Sequence, residues 1–227
     1  YPTRFAGLTT LAPQAPAAAV KELERGVRTL GLKGGMINSH TGNLYLDDPQ
    51  FWPILEAAEA LDVPLYLHPR DPAEPMAAKV MIPGFNVGWG YGVETGTHVV
   101  RMIAAGVFDR FPKLRFAIGH GGETLPYILD RIDNRYQWES NLFALPKLRK
   151  RPSDYVRDNF VITTSGMNYP VPVHAAIEAL GPSKILFAAD YPMEDQSEAV
   201  RLFEGITMRA ADRKRIAETN AVAFFKL

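Results

Sequence analysis

The residues in this chain best suited to chemistry are three histidines and an aspartate, each closing a short apolar run. His40 follows "KGGMINS", His68 ends "VPLYLH", His120 ends "LRFAIGH" and Asp190 ends "ILFAAD". A carboxylate beside apolar strand residues is costly unless a cation or hydrogen-bond donors compensate it. Two histidines and an aspartate brought to one rim suit a divalent metal with an open coordination position, and an aspartate held there can also move protons. The remaining histidines, His98 in "ETGTHVV" and His174 in "VPVHAAI", sit inside helical patterns and read as structural.

Around His120 the sequence is "FAIGHGGETLPYILDRIDNR". Gly119, Gly121 and Gly122 permit a tight turn and a close approach to the backbone. Glu123 is placed to hydrogen-bond the imidazole, fixing its tautomer and raising its basicity. It also suits the first turn of a helix, where a carboxylate meets the dipole, and the two roles are compatible. Arg131 lies eight residues on, on Glu123's face if both are helical, and a guanidinium there would clamp a substrate carboxylate. Asp133 and Arg135 read as solvent charges. Ser165 in "TTSGMN" lacks the G-x-S-x-G elbow of a hydrolase nucleophile.

These residues need elements to hold them. Six nearly continuous apolar runs occur, at 4–11, 33–39, 64–69, 114–120, 160–166 and 185–191. Each is too short for a helix and suits a strand buried on both faces. Amphipathic segments lie between them. In "PAAAVKELERGVRTLG", Val20, Leu23, Val27 and Leu30 mark one face, and Asp48-Pro49 reads as an N-cap followed by proline at the first helical position. Strand alternating with helix predicts a parallel α/β fold. No G-x-G-x-x-G turn follows the first strand, whereas the polar residues stand at strand ends, as in a (β/α)8 barrel whose chemistry is built at the C-terminal rim. Asn38-Ser39-His40 and Thr164-Ser165 belong to that set. Six units fall short of eight, and the chain opens at Tyr1, three residues before a strand. The expectation is therefore one TIM-type barrel domain over 1–227 that lacks its first strands. Residues 70–93 fit neither period and directly follow His68, which predicts a pocket wall or lid, with Trp89 and Tyr91 as wall candidates beside the ends of "NSHTGN".

Bulk composition excludes several classes. Of 227 residues 47% are hydrophobic, enough for a sizeable core, and Lys plus Arg equals Asp plus Glu at 25 each, so no net field draws the chain to nucleic acid or an anionic membrane. The absence of cysteine removes disulfides, thiolate metal sites and cysteine nucleophiles. No apolar run approaches the ~20 residues of a membrane span, and "YPTRFAGLTT" has no signal-peptide pattern. A cytoplasmic protein is expected.

The stretches "GLKGGMINSHTGNLYLDDPQFWPILEAAEALDVPLYLHPRDP", "GVFDRFPKLRFAIGHGGETLPYILDRIDNR" and "ILFAADYPMED" resemble the amidohydrolase-related decarboxylases of the amidohydrolase superfamily, over about Arg4 to Leu227. That group acts on γ-resorcylate, 5-carboxyvanillate, 2,3-dihydroxybenzoate and aminocarboxymuconate semialdehyde. The resemblance implies a (β/α)8 barrel with one divalent metal ion, Zn2+ or Mn2+, and non-oxidative loss of CO2 from a small hydroxylated aromatic acid by a homodimer or homotetramer. Carried over, His68 and Asp190 are metal ligands, Asp190 is also the proton donor, His120 with Glu123 is the polarising pair, and Arg131 binds the carboxylate. Asn38 and His40 are candidate substrate contacts. The family's Glu-x-His or His-x-His motif on the first strand has no counterpart here. Two other readings stand beside this one: a metal-dependent hydrolase of a lactone or amide, and a non-catalytic remnant or binding subunit.

Overall fold

The computed structural model describes Tyr1 and residues 4–143, 145 and 147–227. It divides into two compact units, residues 1–117 with Leu227, and residues 118–226. In the first unit the elements run β1 (Thr9–Thr10), α1 (Pro16–Arg28), β2 (Gly35–Asn38), α2 (Trp52–Ala60), β3 (Leu65–His68), α3 (Ala77–Val80), α4 (Tyr91–Ala104), α5 (Val107–Arg110) and β4 (Phe116–Ile118), whose last residue opens the second unit. There follow α6 (Leu125–Phe143), α7 (Pro152–Asn159), β5 (Phe160–Thr163), α8 (Pro170–Leu180), β6 (Ile185–Leu186), α9 (Gln196–Gly205), α10 (Ala210–Lys214) and α11 (Asn220–Phe225).

All six expected strands form, each shorter than its apolar run. In the first unit β1 pairs in parallel with β2 and β2 with β3, and the register sets Asn38 beside His68 at the strand ends. In the second, β5 pairs in parallel with β6. The strands are short because each run supplies only a few buried ladder positions before its chain turns away to the rim. Leu65 and Leu67 of β3 are fully buried on one face, while Phe116, Ala117 and Ile118 of β4 are all buried, so β4 contributes core on both faces. The entry to β2 depends on a glycine. A side-chain carbon on Gly34 would stand 2.2 Å from the Pro64 carbonyl, so only a residue without one admits this approach.

Asp48 caps the turn that leads into α2, accepting from the Gln50 N–H at 3.0 Å, with Pro49 at the first position as the sequence predicts. The buried face of α1 differs from the expected one. It comprises Ala19, Leu23 and Gly26, while Leu30 is 52% exposed. The helix ends at Arg28, so Leu30 lies beyond it and the helical spacing no longer governs where it points. The segment 70–93 is less irregular than its composition suggests: it holds α3 and a π-turn over Asn86–Gly90 that feeds α4. Asp133, read as a solvent charge, instead accepts from the Ser153 N–H at 2.8 Å and from its hydroxyl at 2.6 Å, which closes the start of α7. Among the described residues no helix is long and apolar enough to cross a membrane.

Candidate active site

The second unit gathers the most reactive cluster. β4 delivers the chain to a turn in which His120, Gly121, Gly122, Glu123 and Thr124 all have positive φ, between 47° and 80°. Left-handed backbone is costly for residues with a side chain, and runs of it persist only where the surroundings impose it, which is characteristic of functional sites. Gly122 cannot be replaced without conflict, because an added side-chain carbon would meet Ile162 Cγ2 at 2.9 Å on top of its φ of 80°. The turn folds Glu123 back beneath His120, so that Glu123 Oε1 stands 2.7 Å from His120 Nδ1. The other ring nitrogen, Nε2, lies 3.5 Å from Asp190 Oδ2. Asp190 is itself left-handed, with φ 68°.

Electrostatics follow from this geometry. Burial by itself disfavours the imidazolium, but the Glu123 hydrogen bond and charge, with the Asp190 charge, outweigh it and raise the His120 pKa above its ordinary value. Glu123 is 5% exposed and serves as acceptor only, fixing the ring orientation. Two hydroxyls hold the supporting backbone. Ser165 Oγ accepts from the His120 N–H at 3.2 Å and pairs with Thr163 Oγ1 at 2.8 Å. Thr164 Oγ1 accepts from the Ala188 N–H at 3.0 Å, and the Asn168 amide donates to the Ala188 carbonyl at 3.1 Å, two residues before Asp190.

In the first unit the strand-end residues form a second set. His68 is half-buried, and its Nδ1–H donates to the Pro69 carbonyl at 2.7 Å. That bond leaves Nε2 with its lone pair free, the arrangement a metal-donor imidazole requires. Asn38 is exposed beside it, and the Ser39 N–H donates to the His68 carbonyl at 3.0 Å. His40 is 7% exposed; its Nε2 meets the Asp71 carbonyl at 3.1 Å, and its own carbonyl accepts from Arg70 at 3.2 Å. Expected pocket walls fare unequally. Trp89 is 55% exposed, while Tyr91 is partly buried, and burial together with the Asp71 carboxylate raises its pKa.

Thus the second unit brings His120, Glu123 and Asp190 together, and the first sets Asn38 beside His68, with His40 two residues past Asn38. Arg131 does not share a helical face with Glu123. Glu123 precedes α6 in a left-handed conformation, so the eight-residue spacing carries no helical phase, and Arg131 stands exposed on α6. Among the described residues no three His, Cys, Asp or Glu side chains stand close enough to hold a metal ion. His68 and Asp190 each have the chemistry of a donor without completing such a group. The sequence reading missed Glu94, which is fully buried in α4. Its signal lay in the spacing: Glu94, His98 and Met102 recur every four residues on the stripe that α4 buries.

A family profile described as Amidohydrolase matches residues 1–227. The chain belongs to the amidohydrolase family. Among the family's curated members it is 40% identical to the gamma-resorcylate decarboxylase of Polaromonas sp. over 234 residues, covering 100% of this chain and 72% of that protein. The crystal structure of 5-carboxyvanillate decarboxylase from Sphingomonas paucimobilis superposes with a TM-score of 0.96 at 44% identity, over 100% of this chain and 68% of that one. A dihydroxybenzoic acid decarboxylase from Polaromonas sp., solved with bound manganese and the inhibitor 2-nitroresorcinol, gives 0.90 at 38% identity, over 99% of this chain and 70% of that one. Six parallel-type strands alternating with helices in this amidohydrolase are therefore of the family's (β/α) barrel class.

Proposed function

We propose that the chain carries the proton-transfer machinery of a metal-dependent, non-oxidative decarboxylase acting on a small hydroxylated aromatic acid. The observation that carries this reading is the His120–Glu123–Asp190 cluster, built on strained backbone, in a chain whose similar proteins include aromatic-acid decarboxylases. Asp190 donates a proton to the ring carbon that bears the carboxylate, interrupting aromaticity. The bond to the carboxylate carbon then breaks, CO2 leaves, and its electron pair restores the ring. His120, kept basic and oriented by Glu123, stands beside Asp190 to steady its charge and return its proton. Arg131 is assigned to the substrate carboxylate, and Asn38 and His40 to substrate contacts at their own rim.

His68, through Nε2, and Asp190 are each assigned as a metal donor on the chemistry of its own side chain. A divalent ion, manganese in preference to zinc, supplies charge neutralisation and orientation of the substrate's acidic oxygens when bound. The exposed apolar side chains of α6, Tyr127, Trp138, Leu142 and Phe143, favour self-association as a homodimer or homotetramer, and the place of action is the cytoplasm.

The test is incubation of the full-length protein and its Asp190→Asn variant with 2,6-dihydroxybenzoate, 5-carboxyvanillate and a lactone panel. Release of CO2 by the parent, with loss of at least about 100-fold in the variant, is expected. Lactone hydrolysis without CO2 release would contradict the assignment.

A further inference from the structure

α4 buries two titratable groups that the proton-transfer cluster does not use. Glu94 and His98 are both 0% exposed. The Leu46 N–H donates to His98 Nε2 at 2.9 Å, so Nε2 is the bare nitrogen and Nδ1 carries the proton. Nδ1–H then donates to Ser39 Oγ at 3.1 Å, and the Ser39 hydroxyl donates onward to Glu94 Oε1 at 2.8 Å. The second carboxylate oxygen accepts from the Tyr45 hydroxyl at 2.8 Å and from the Ala73 N–H at 3.2 Å. Every bond in this chain runs toward Glu94. Arg101 stacks on the Tyr45 ring and pairs with Asp47.

The network joins three stretches that meet nowhere else in sequence: the connection after β2, the loop after β3, and α4. Its central member, Ser39, is left-handed at φ 34° and sits between Asn38 and His40, with its N–H on the His68 carbonyl. An apolar side chain at position 94 would serve the core at least as well, because a buried carboxylate carries a desolvation cost. What the carboxylate adds is direction, since a fully satisfied polar network selects one arrangement of the segments it joins.

We propose that Glu94 is a positioning residue, which through Ser39 fixes Asn38, His40 and His68 at the rim of β2 and β3. Its effect on turnover rests on the decarboxylase reading; its effect on the rim does not. Burial, with the charges of His40 and Arg101, holds the His98 pKa at about 3, so this relay keeps a single neutral tautomer at ordinary pH.

The experiment uses the full-length protein with 15N-labelled histidine and the variants Glu94→Gln, Ser39→Ala, their double, and Tyr45→Phe. The His68 and His40 ring signals should shift in Glu94→Gln and Ser39→Ala, and much less in Tyr45→Phe, which spares the Ser39 route. With an aromatic acid as substrate, kcat should fall by about tenfold or more in Glu94→Gln and in Ser39→Ala, no further in their double, and much less in Tyr45→Phe. Unmoved His68 signals in Ser39→Ala, equal shifts in Tyr45→Phe, or losses that multiply in the double would overturn the proposal. If Glu94→Gln does not fold, the Ser39→Ala and Tyr45→Phe pair decides alone. If no aromatic acid is turned over, the decarboxylase reading fails while the histidine signals still decide the positioning claim.

Discussion

His120 draws its distinctive chemistry from a neighbour three positions away that reaches back across a left-handed turn. Glu123 is nearly inaccessible, and its oxygen is 2.7 Å from Nδ1, so its carboxylate acts on the ring and on nothing in solvent. Glu123→Gln keeps the shape and one acceptor but removes the charge. Turnover should fall by roughly 10- to 100-fold with the fold intact, which steady-state kinetics and circular dichroism check together. The sequence made much of this legible. "GHGGE" announced a tight turn and an imidazole with a carboxylate in reach, and the end of an apolar run marked the end of β3 at His68, whereas Asp190 lies four residues past the end of β6. It misled for Arg131, because a spacing argument needs both residues on one helix and Glu123 stands outside it.

At the scale of elements, short buried strands and their turns do the positioning. The turn after β4 requires glycine at 122 on two counts, its φ of 80° and the contact with Ile162. Gly122→Ala should cost about 1–3 kcal/mol by chemical denaturation and lower activity through displaced His120. α4 offers a separate test. The His98 pKa lies at about 3 in the folded chain, held down by burial, against about 6.5 unfolded. The unfolded state thus binds the additional proton between these values, so stability is full above about pH 6.5 and falls as pH drops toward 3, by up to about 1.4 kcal/mol per unit. His98→Asn should flatten that part of the pH–stability curve, measured by urea titration at several pH values. Apolar continuity revealed every strand, yet not where each ends, because the last residues of each run leave the ladder to form the rim. Glu94 stayed hidden because a single polar residue on an apolar stripe reads from sequence as an interruption.

For the whole molecule, two units each contribute a set of strand-end groups, and the family resemblance read from "PLYLHP", "FAIGHGGE" and "ILFAADYPMED" agrees with the profile match over 1–227. Composition had already excluded cysteine chemistry and any net electrostatic pull toward nucleic acid. In the proposed reaction Asp190 protonates the ring carbon from which CO2 departs. Its most direct test is to run the full-length protein with manganese and 5-carboxyvanillate or 2,6-dihydroxybenzoate in D2O, following CO2 and the aromatic product by NMR. One CO2 per product and a single deuterium at the carbon that lost the carboxylate are expected, both abolished in Asp190→Asn. Product formation that persists in Asp190→Asn, or conversion without CO2, would contradict it.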